Sequence, residues 1–254
     1  MRIEGRIDDK DKISDVSQVW IAAADLPAPA LARGATLLND EETRRVEAFR
    51  FDSDRRMSLV ARAALRALLG QHLNVDPRSL RFVTGEHGKP ALAGAEVEFN
   101  VSHSAGHIAI AISDGGPIGV DIESMKRSSD LLHLAERFFS PPEAENVRAA
   151  DENERARRFF AYWTAKESVI KAAGGGLSIE LRSFETDPRL GESTSVTNRG
   201  ADPRLDGWNV FAIPSPIESM QLAIASRAEE PPLVRAFDVI RSIQMFDSAG
   251  REMK

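Results

Sequence analysis

Short apolar runs alternate with longer amphipathic segments over the first 117 residues of the chain. Residues 19–24 form an apolar run that ends before Pro27 and Pro29, which predicts a strand. Residues 41–51 and 54–73 have helical periodicity, and leucines give the second segment a broad apolar stripe. Further strands are predicted from apolar runs between glycine-rich turns, at 81–83, 97–101 and 108–112.

The second half of the chain loosely repeats this order from about residue 118. A strand is predicted at 118–122 and a helix at 130–138, and Ser140-Pro141-Pro142-Glu143 has the pattern of a capping box with proline in the first turn. A long helix is predicted over 154–173, because three glycines follow it as a strong stop signal. The remaining predicted strands are 179–185, 208–213 and 221–225, with an exposed connection at 188–207.

Composition narrows the class of protein. The chain has 254 residues, 42% hydrophobic and 28% charged, as is ordinary for a soluble globular protein of one or two domains. Its net charge of −6 argues against a nucleic-acid binder, and the lack of cysteine excludes disulfides, thiolate metal sites and a cysteine nucleophile. We see neither a signal peptide nor a run long enough to span a membrane, so we expect a cytoplasmic enzyme or binding protein.

Two carboxylates alternate with apolar residues in the strand that opens the second half, Gly119-Val120-Asp121-Ile122-Glu123. Because side chains alternate between the faces of a strand, Asp121 and Glu123 share one face and the apolar residues share the other. Acidic residues are depleted in strands, and Mg²⁺ commonly binds one or two carboxylates together with substrate phosphates. Taken alone, the pair fits a solvated strand face about as well as a metal site.

The long helix adds a third carboxylate and a lysine. Glu167 and Lys171 are four residues apart and share a face, next to the stripe of Phe159, Trp163 and Ile170 that we expect in the core. An exposed ion pair is the ordinary interpretation of this spacing. Together with the acidic strand, however, the helix supplies three carboxylates and an ammonium, which suits the transfer of a phosphoryl group.

Several other residues could contact an anion. Ser102 and His103 end a predicted strand at a turn, where side chains can reach a phosphate. Lys89 is held on a rigid turn between glycine and proline. Arg62 and Arg66 lie four residues apart on the leucine-rich helix, and arginine binds phosphate oxygens in a bidentate manner. Each residue alone also fits an ordinary solvated position.

Taken together, these segments resemble the 4′-phosphopantetheinyl transferases of the surfactin-synthetase-activating type. The resemblance covers about residues 20–227 and follows the family's order of motifs. The matching motifs are Gly88-Lys89-Pro90, Phe99-Asn100-x-Ser102-His103, Gly119-x-Asp121-x-Glu123, Arg137-Phe138-Phe139 with Glu143, and Trp163-x-x-Lys166-Glu167-Ser168-x-x-Lys171. Residues 1–19 and those beyond 227 have no counterpart that we can place.

The resemblance implies an α+β fold, a pseudo-dimer of two similar α/β halves, each a small, mainly antiparallel sheet packed with a long helix. Residues 1–117 would form the half that binds the CoA nucleotide. Residues 118–254 would form the half with the metal and the catalytic helix, followed by a C-terminal tail. A chain of this length suits a monomer that contains both halves.

The activity that the resemblance implies is that of a holo-[acyl-carrier-protein] synthase. Such an enzyme transfers the 4′-phosphopantetheine arm of coenzyme A to a serine of an apo acyl or peptidyl carrier protein and releases 3′,5′-ADP. The implied cofactor is Mg²⁺, with Mn²⁺ as a possible substitute. The implied partners are CoA and the apo carrier protein, without nucleic acid or membrane.

Glu167 and Lys171 are the implied catalytic residues. Glu167 accepts the proton of the carrier serine or orients the base that does so, and Lys171 stabilises charge on the leaving oxygen. Lys166 lies on another face of the helix and is given a supporting role. The implied metal ligands are Asp121, Glu123 and Glu167. The implied CoA-binding residues are Arg66, Arg62, Lys89, Ser102, His103 and Lys171.

Two other functions stay open from the residues alone. The same carboxylates could activate water in a metal-dependent phosphohydrolase that acts on a CoA-like nucleotide. Alternatively, the chain could be an inactive CoA-binding or carrier-binding protein. Breakdown of CoA without a carrier separates the first alternative from a transferase, and loss of a carboxylate or lysine would favour the second. For a transferase, we expect the carrier to dock near residues 138–147.

Overall fold

The computed structural model describes residues 17–85, 88–126 and 130–236, and the structural statements below concern these residues. The helices are α1 Ala28–Ala35, α2 Asp40–Glu47, α3 Asp52–Leu73, α4 Leu131–Phe138, α5 Pro141–Arg148 and α6 Glu152–Ala173. The strands are β1 Gln18–Ala23, β2 Phe82–Thr84, β3 Pro90–Leu92, β4 Glu98–Ser104, β5 His107–Ser113, β6 Ile118–Ser124, β7 Phe184–Glu185, β8 Ser193–Ser195, β9 Thr197–Asn198, β10 Asn209–Ile213, β11 Met220–Ser226 and β12 Leu233–Ala236.

The two halves of the chain repeat one arrangement of elements. In each half a strand is followed by two helices of 8 residues and then by a helix of 22 residues. The strands β1, β5 and β4 are neighbours in that order in one sheet, and β6, β11 and β10 are neighbours in the same order in the other. All of these neighbours pair antiparallel. The predicted α+β fold of two similar halves is therefore confirmed.

The end of the described chain returns to the first sheet. Strand β12 pairs in parallel with β1 and completes the four-stranded sheet β12-β1-β5-β4. Strand β8 occupies the other edge position of the second sheet, beside β10. The predicted boundary after residue 117 falls between β5 and β6.

Apolar side chains stack the two sheets and the two long helices as layers. Helix α3 covers one face of the first sheet, where Trp20 and Ile110 belong to the same buried cluster as Leu65. The other face of the first sheet packs against the second sheet through one shared cluster, which includes Ile21 and Val120. Helix α6 covers the outer face of the second sheet, in a cluster that includes Val169, Ala223 and Ala225.

Three local predictions are wrong. Helix α1 was not predicted, because Pro27 and Pro29 suggest the end of an element. Proline also suits the first turn of a helix, and Pro27 is the N-cap here. The helix predicted at 41–51 ends at Glu47, and Phe51 is already the extended N-cap of α3. The strand predicted at 179–185 contains a 3₁₀ turn at Leu181–Ser183, and only Phe184–Glu185 is in a strand.

Polar side chains of β4 join the first sheet to β6, the edge strand of the second sheet. Alternate backbone N–H groups of β6 donate to alternate side chains of β4. These hydrogen bonds run from Val120 N to Asn100 Oδ1 (3.0 Å), from Ile122 N to Ser102 Oγ (3.3 Å) and from Ser124 N to Ser104 Oγ (3.3 Å). The acidic strand is thereby held at a fixed register against β4.

A close approach of α6 to β6 depends on a glycine. A Cβ atom at Gly119 would lie 2.0 Å from Ser168 O and 2.6 Å from Ala172 N, both backbone atoms of α6. No side chain fits at those distances, so the helix can pack directly on the strand only because residue 119 is glycine.

We expect Gly119→Ala to lower the free energy of unfolding by about 1–3 kcal/mol, because the added methyl group must push α6 away from β6. Equilibrium unfolding in urea measures this difference. An unchanged free energy of unfolding would show that the two elements are not in the close contact described here.

Candidate active site

The acidic strand, the end of β4 and the middle of α6 enclose a cavity of about 300 Å³. Its lining contains both carboxylates of β6 together with Glu167 and Lys171 of α6. The lining residues are Val101, Ser102, His103, Asp121, Glu123, Trp163, Glu167 and Lys171. The cavity therefore draws residues from both halves of the chain.

Asp121 is buried, and one of its carboxylate oxygens accepts hydrogen bonds from two donors. Its Oδ1 accepts from Ser102 Oγ at 2.8 Å and from Lys171 Nζ at 2.6 Å. Lys171 Nζ also lies 3.0 Å from Ser102 Oγ and 3.4 Å from Val120 O. The ammonium group compensates the buried carboxylate, which would be costly to bury unpaired.

The other two carboxylates make the cavity strongly acidic. Ser104 Oγ donates to Glu123 Oε2 at 2.7 Å. Glu167 is half-buried, and its pKa is raised by burial and by the negative charges of Asp121 and Glu123, while Lys171 opposes the shift. Repulsion among these carboxylates favours the binding of a cation.

The donor set fits a hard divalent cation. Asp121 Oδ2 is buried and has no hydrogen-bond partner among the described residues, so a cation there would satisfy an otherwise unpaired oxygen. The three carboxylates supply the oxygen ligands that Mg²⁺ prefers. In the described part of the chain, no three acidic, histidine or cysteine side chains already form a compact metal-binding cluster. The carboxylates of Glu123 and Glu167 would therefore have to move toward Asp121 as a cation binds.

A larger cavity of about 700 Å³ adjoins the acidic one and shares Val101, Glu167 and Lys171 with it. Its walls come from residues 88–90, from the C-terminal part of α6 with the turns that follow, and from Arg137 and Phe138 at the end of α4. This volume is in the range of pockets that hold cofactor-sized ligands.

Lys89 links the turn before β3 to the end of α6. Its Nζ donates to Glu98 Oε2 at 3.2 Å and to Ala172 O at 3.4 Å. Lys89 is one of the residues that line the larger cavity.

Most of the residues predicted for the site lie at these two cavities. They are Lys89, Ser102, His103, Asp121, Glu123, Glu167 and Lys171. No role was predicted for Asn100 and Ser104, which hold β6, or for Arg137 and Arg182, which line the larger cavity. The two-residue spacing of Asn100, Ser102 and Ser104 places them on one face of a strand, and this spacing could have indicated their contact with the strand of Asp121 and Glu123.

The structure does not bring Arg66 and Arg62 to either cavity. Arg66 is 0% exposed, and its Nε donates to Glu42 at 2.8 Å. Both guanidinium groups lie over the ring of Phe82, and Arg62 Nε is 3.6 Å from Glu42. The predicted phosphate contact of Arg66 needs correction, because a ligand could reach it only by breaking a buried ion pair.

Lys166 is also fully buried and lines neither cavity. It was predicted to lie on a different face from Glu167, and it does. Its spacing from Phe159, Trp163 and Ile170 places it on the core stripe of α6, which was the signal for its burial.

Each half of the chain matches a known protein-family model. A family model described as the 4′-phosphopantetheinyl transferase superfamily matches residues 117–224. A second, described as the N-terminal part of 4′-phosphopantetheinyl transferase, matches residues 28–114.

Curated relatives are similar over most of the chain. A putative 4′-phosphopantetheinyl transferase of Synechocystis is 35% identical over 186 residues, which are 72% of this chain and 75% of that protein. The 4′-phosphopantetheinyl transferase HetI of Nostoc is 35% identical over 184 residues, 69% of this chain and 78% of that protein. The 4′-phosphopantetheinyl transferase Sfp of Bacillus subtilis is 35% identical over 153 residues, 60% of this chain and 67% of that protein.

We expect Ser102→Ala to lower the free energy of unfolding by about 1–3 kcal/mol, because it removes a buried hydroxyl that bonds Asp121, Lys171 and the backbone of β6. Ser104→Ala is the matched control on the same strand. Ser104 is only half-buried, so we expect a smaller loss. Unfolding in urea compares the two variants, and an equal or larger loss for Ser104→Ala would contradict the central place of Ser102.

Proposed function

This chain belongs to the 4′-phosphopantetheinyl transferases, enzymes that transfer the phosphopantetheine arm of CoA to carrier proteins, and we propose that the two adjoining cavities are its active site. The observation that carries the proposal is the convergence of three carboxylates and one lysine beside a cofactor-sized cavity. Phosphoryl transfer needs positioned charges more than covalent chemistry, and this site offers them.

The larger cavity is the proposed binding site of CoA. Lys89 projects into it from one half of the chain and Lys171 from the other, so both can face the phosphates of the ligand. Ser102 and His103 lie at the acidic cavity, next to the shared lysine. The contact of Lys171 with Val120 O, at 3.4 Å, is the longest of its three, and a phosphate oxygen can replace it at least cost.

Asp121, Glu123 and Glu167 are the proposed ligands of Mg²⁺ or Mn²⁺. The unpaired Oδ2 of Asp121 and the mutual repulsion of the carboxylates support this assignment. A divalent cation held by these carboxylates would supply positive charge for the diphosphate of CoA.

Glu167 is the proposed group that takes the proton of the carrier serine. Burial and the neighbouring carboxylates raise its pKa, which makes it a stronger base than an exposed glutamate. The serine oxygen forms a bond to the phosphorus that carries pantetheine, and the bond from that phosphorus to 3′,5′-ADP breaks. Lys171 stabilises the negative charge on the departing oxygen.

Several expectations about the whole protein stay predictions. We expect a monomer, because the residues of the site come from both halves of one chain. We expect the carrier protein to dock beside residues 138–147, because Phe138 lines the larger cavity. No helix in the described ranges is long and apolar enough to cross a membrane. The cytoplasmic location and the absence of a nucleic-acid partner rest on the sequence.

Intact mass spectrometry of an apo carrier protein tests the proposed site. After incubation with this protein, CoA and Mg²⁺, the carrier should gain one phosphopantetheine arm, and EDTA should abolish the gain. Glu167→Gln should lower the transfer rate by a factor of about 10²–10⁴, because the variant loses the proton acceptor and a metal ligand.

Glu154→Gln is the matched control, since Glu154 is exposed in the first turn of the same helix and should be replaceable without loss. Transfer at the wild-type rate by a folded Glu167→Gln variant would refute the role of Glu167. Breakdown of CoA without modification of the carrier would instead support the phosphohydrolase.

A further inference from the structure

A buried ammonium group joins three segments of the second half. Lys166 Nζ lies 2.8 Å from Glu143 Oε2 and donates to Leu181 O at 2.8 Å and Phe184 O at 2.5 Å. The three N–H groups of the lysine therefore have three acceptors. Burial lowers the pKa of Lys166, and the charge of Glu143 opposes that shift.

Glu143 extends this connection to two further backbone groups. Its Oε2 accepts from Ser140 N at 3.0 Å, which completes the capping box of α5. Its Oε1 accepts from Thr186 N at 2.8 Å. The start of α5, the middle of α6 and the segment 181–186 are thus fixed to one another by a single ion pair.

The first half contains a second copy of this arrangement. Arg66 and Lys166 are each the fifteenth residue of a 22-residue helix. Arg66 pairs with Glu42, the capping-box glutamate of α2, and donates to Pro77 O at 2.5 Å. A phenylalanine ring lies beside each cation. The distances are 5.1 Å from Arg66 to Phe82 and 4.3 Å from Lys166 to Phe184.

The two copies differ in the residues that follow the cation. Glu167 and Lys171 come one and five residues after Lys166, and both reach the active-site cavities. The corresponding residues after Arg66 are Ala67 and Gln71. Both halves therefore share this framework of a buried cation, a capping-box glutamate and a phenylalanine ring. The glutamate and the lysine that reach the cavities are present only in the second half.

We propose that Lys166 is a positioning residue for phosphopantetheine transfer. Its ion pair with Glu143 fixes the rotation of α6 about its axis and the position of α6 along that axis. The side chains of Glu167 and Lys171 are thereby directed toward Asp121. Successive residues of a helix are rigidly coupled, so a movement of residue 166 carries Glu167 with it. Arg66 has the same structural role without a catalytic neighbour. This inference rests on the proposed function of Glu167.

Methionine substitutions separate positioning from stability. Lys166→Met and Arg66→Met each remove one buried cation and keep a long unbranched side chain. Glu143 then loses its ion-pair partner, whereas Glu42 keeps Arg62 at 3.6 Å. The measurements are thermal unfolding by circular dichroism, and kcat and KM for CoA with an apo carrier protein at a temperature where each variant is folded.

We expect both variants to unfold at clearly lower temperatures than the wild type. Lys166→Met should lower kcat at least tenfold and change the KM for CoA by a smaller factor, because Lys89 and Ser102 are untouched and only Lys171 among the proposed CoA contacts moves with α6. Arg66→Met should keep kcat and KM within twofold of the wild type. Equal losses of kcat in the two variants would overturn the proposal.

The double variant Glu143→Gln with Lys166→Met tests the same point when the single variant does not fold. The single amide oxygen of the glutamine can accept from Ser140 N or from Thr186 N, though not from both, and no charge stays buried. We expect its unfolding temperature to rise toward that of the wild type while kcat stays low. Recovery of kcat together with stability would show a purely structural pair and would overturn the proposal.

The wild type distinguishes this inference from the proposed function. A wild-type protein that does not modify any carrier would overturn both. A wild-type protein that does, with Lys166→Met no slower than Arg66→Met, would overturn only the positioning role.

Discussion

The register between β4 and β6 is the constraint on which the active site depends. Each serine of β4 makes two hydrogen bonds to β6. Its hydroxyl oxygen accepts from a backbone N–H group of β6, and its hydroxyl hydrogen is donated to a carboxylate of β6. Ser102 serves Asp121 in this way and Ser104 serves Glu123. Because side chains on both strands repeat every two residues, a shift of one residue would remove every one of these bonds at once. The junction of the two halves and the geometry of the carboxylates are therefore set by the same atoms.

The charge balance of the cavity explains how acidic residues are accommodated inside the fold. Lys171 neutralises Asp121 directly, and Ser102 contacts both groups. Glu167 has no such direct partner among the described contacts and instead has a raised pKa. Deprotonation of Glu167 therefore becomes easier when a cation enters the cavity.

The sequence predicts the elements that combine periodicity with a clear end signal. Helix α6 is correct almost to the residue, because its core stripe ends at three glycines, and β6 is correct because two faces alternate cleanly. Helix α1 was missed because its prolines fit either the end of a strand or the start of a helix. The carboxylates and the lysine were identified from their spacing. The burial of Arg66 was not, because it depends on Glu42, 24 residues away, and local sequence does not show which cation a buried glutamate selects.

Duplication of the framework explains why Arg66 resembled a ligand-binding residue. A basic residue in the middle of a long helix has an equivalent in each half, and in both it is required by the buried glutamate that caps the preceding helix. The faces that the two helices cover differ in chemistry. On β1, Trp20 and Ala22 face α3 and belong to a buried apolar cluster. On β6, the corresponding face carries Asp121 and Glu123, and the space beside them stays open as the cavity. The first half thus fills this face with apolar side chains, whereas the second half has carboxylates and a cavity there, and the Lys166–Glu143 ion pair supports α6 in addition to its packing on β6.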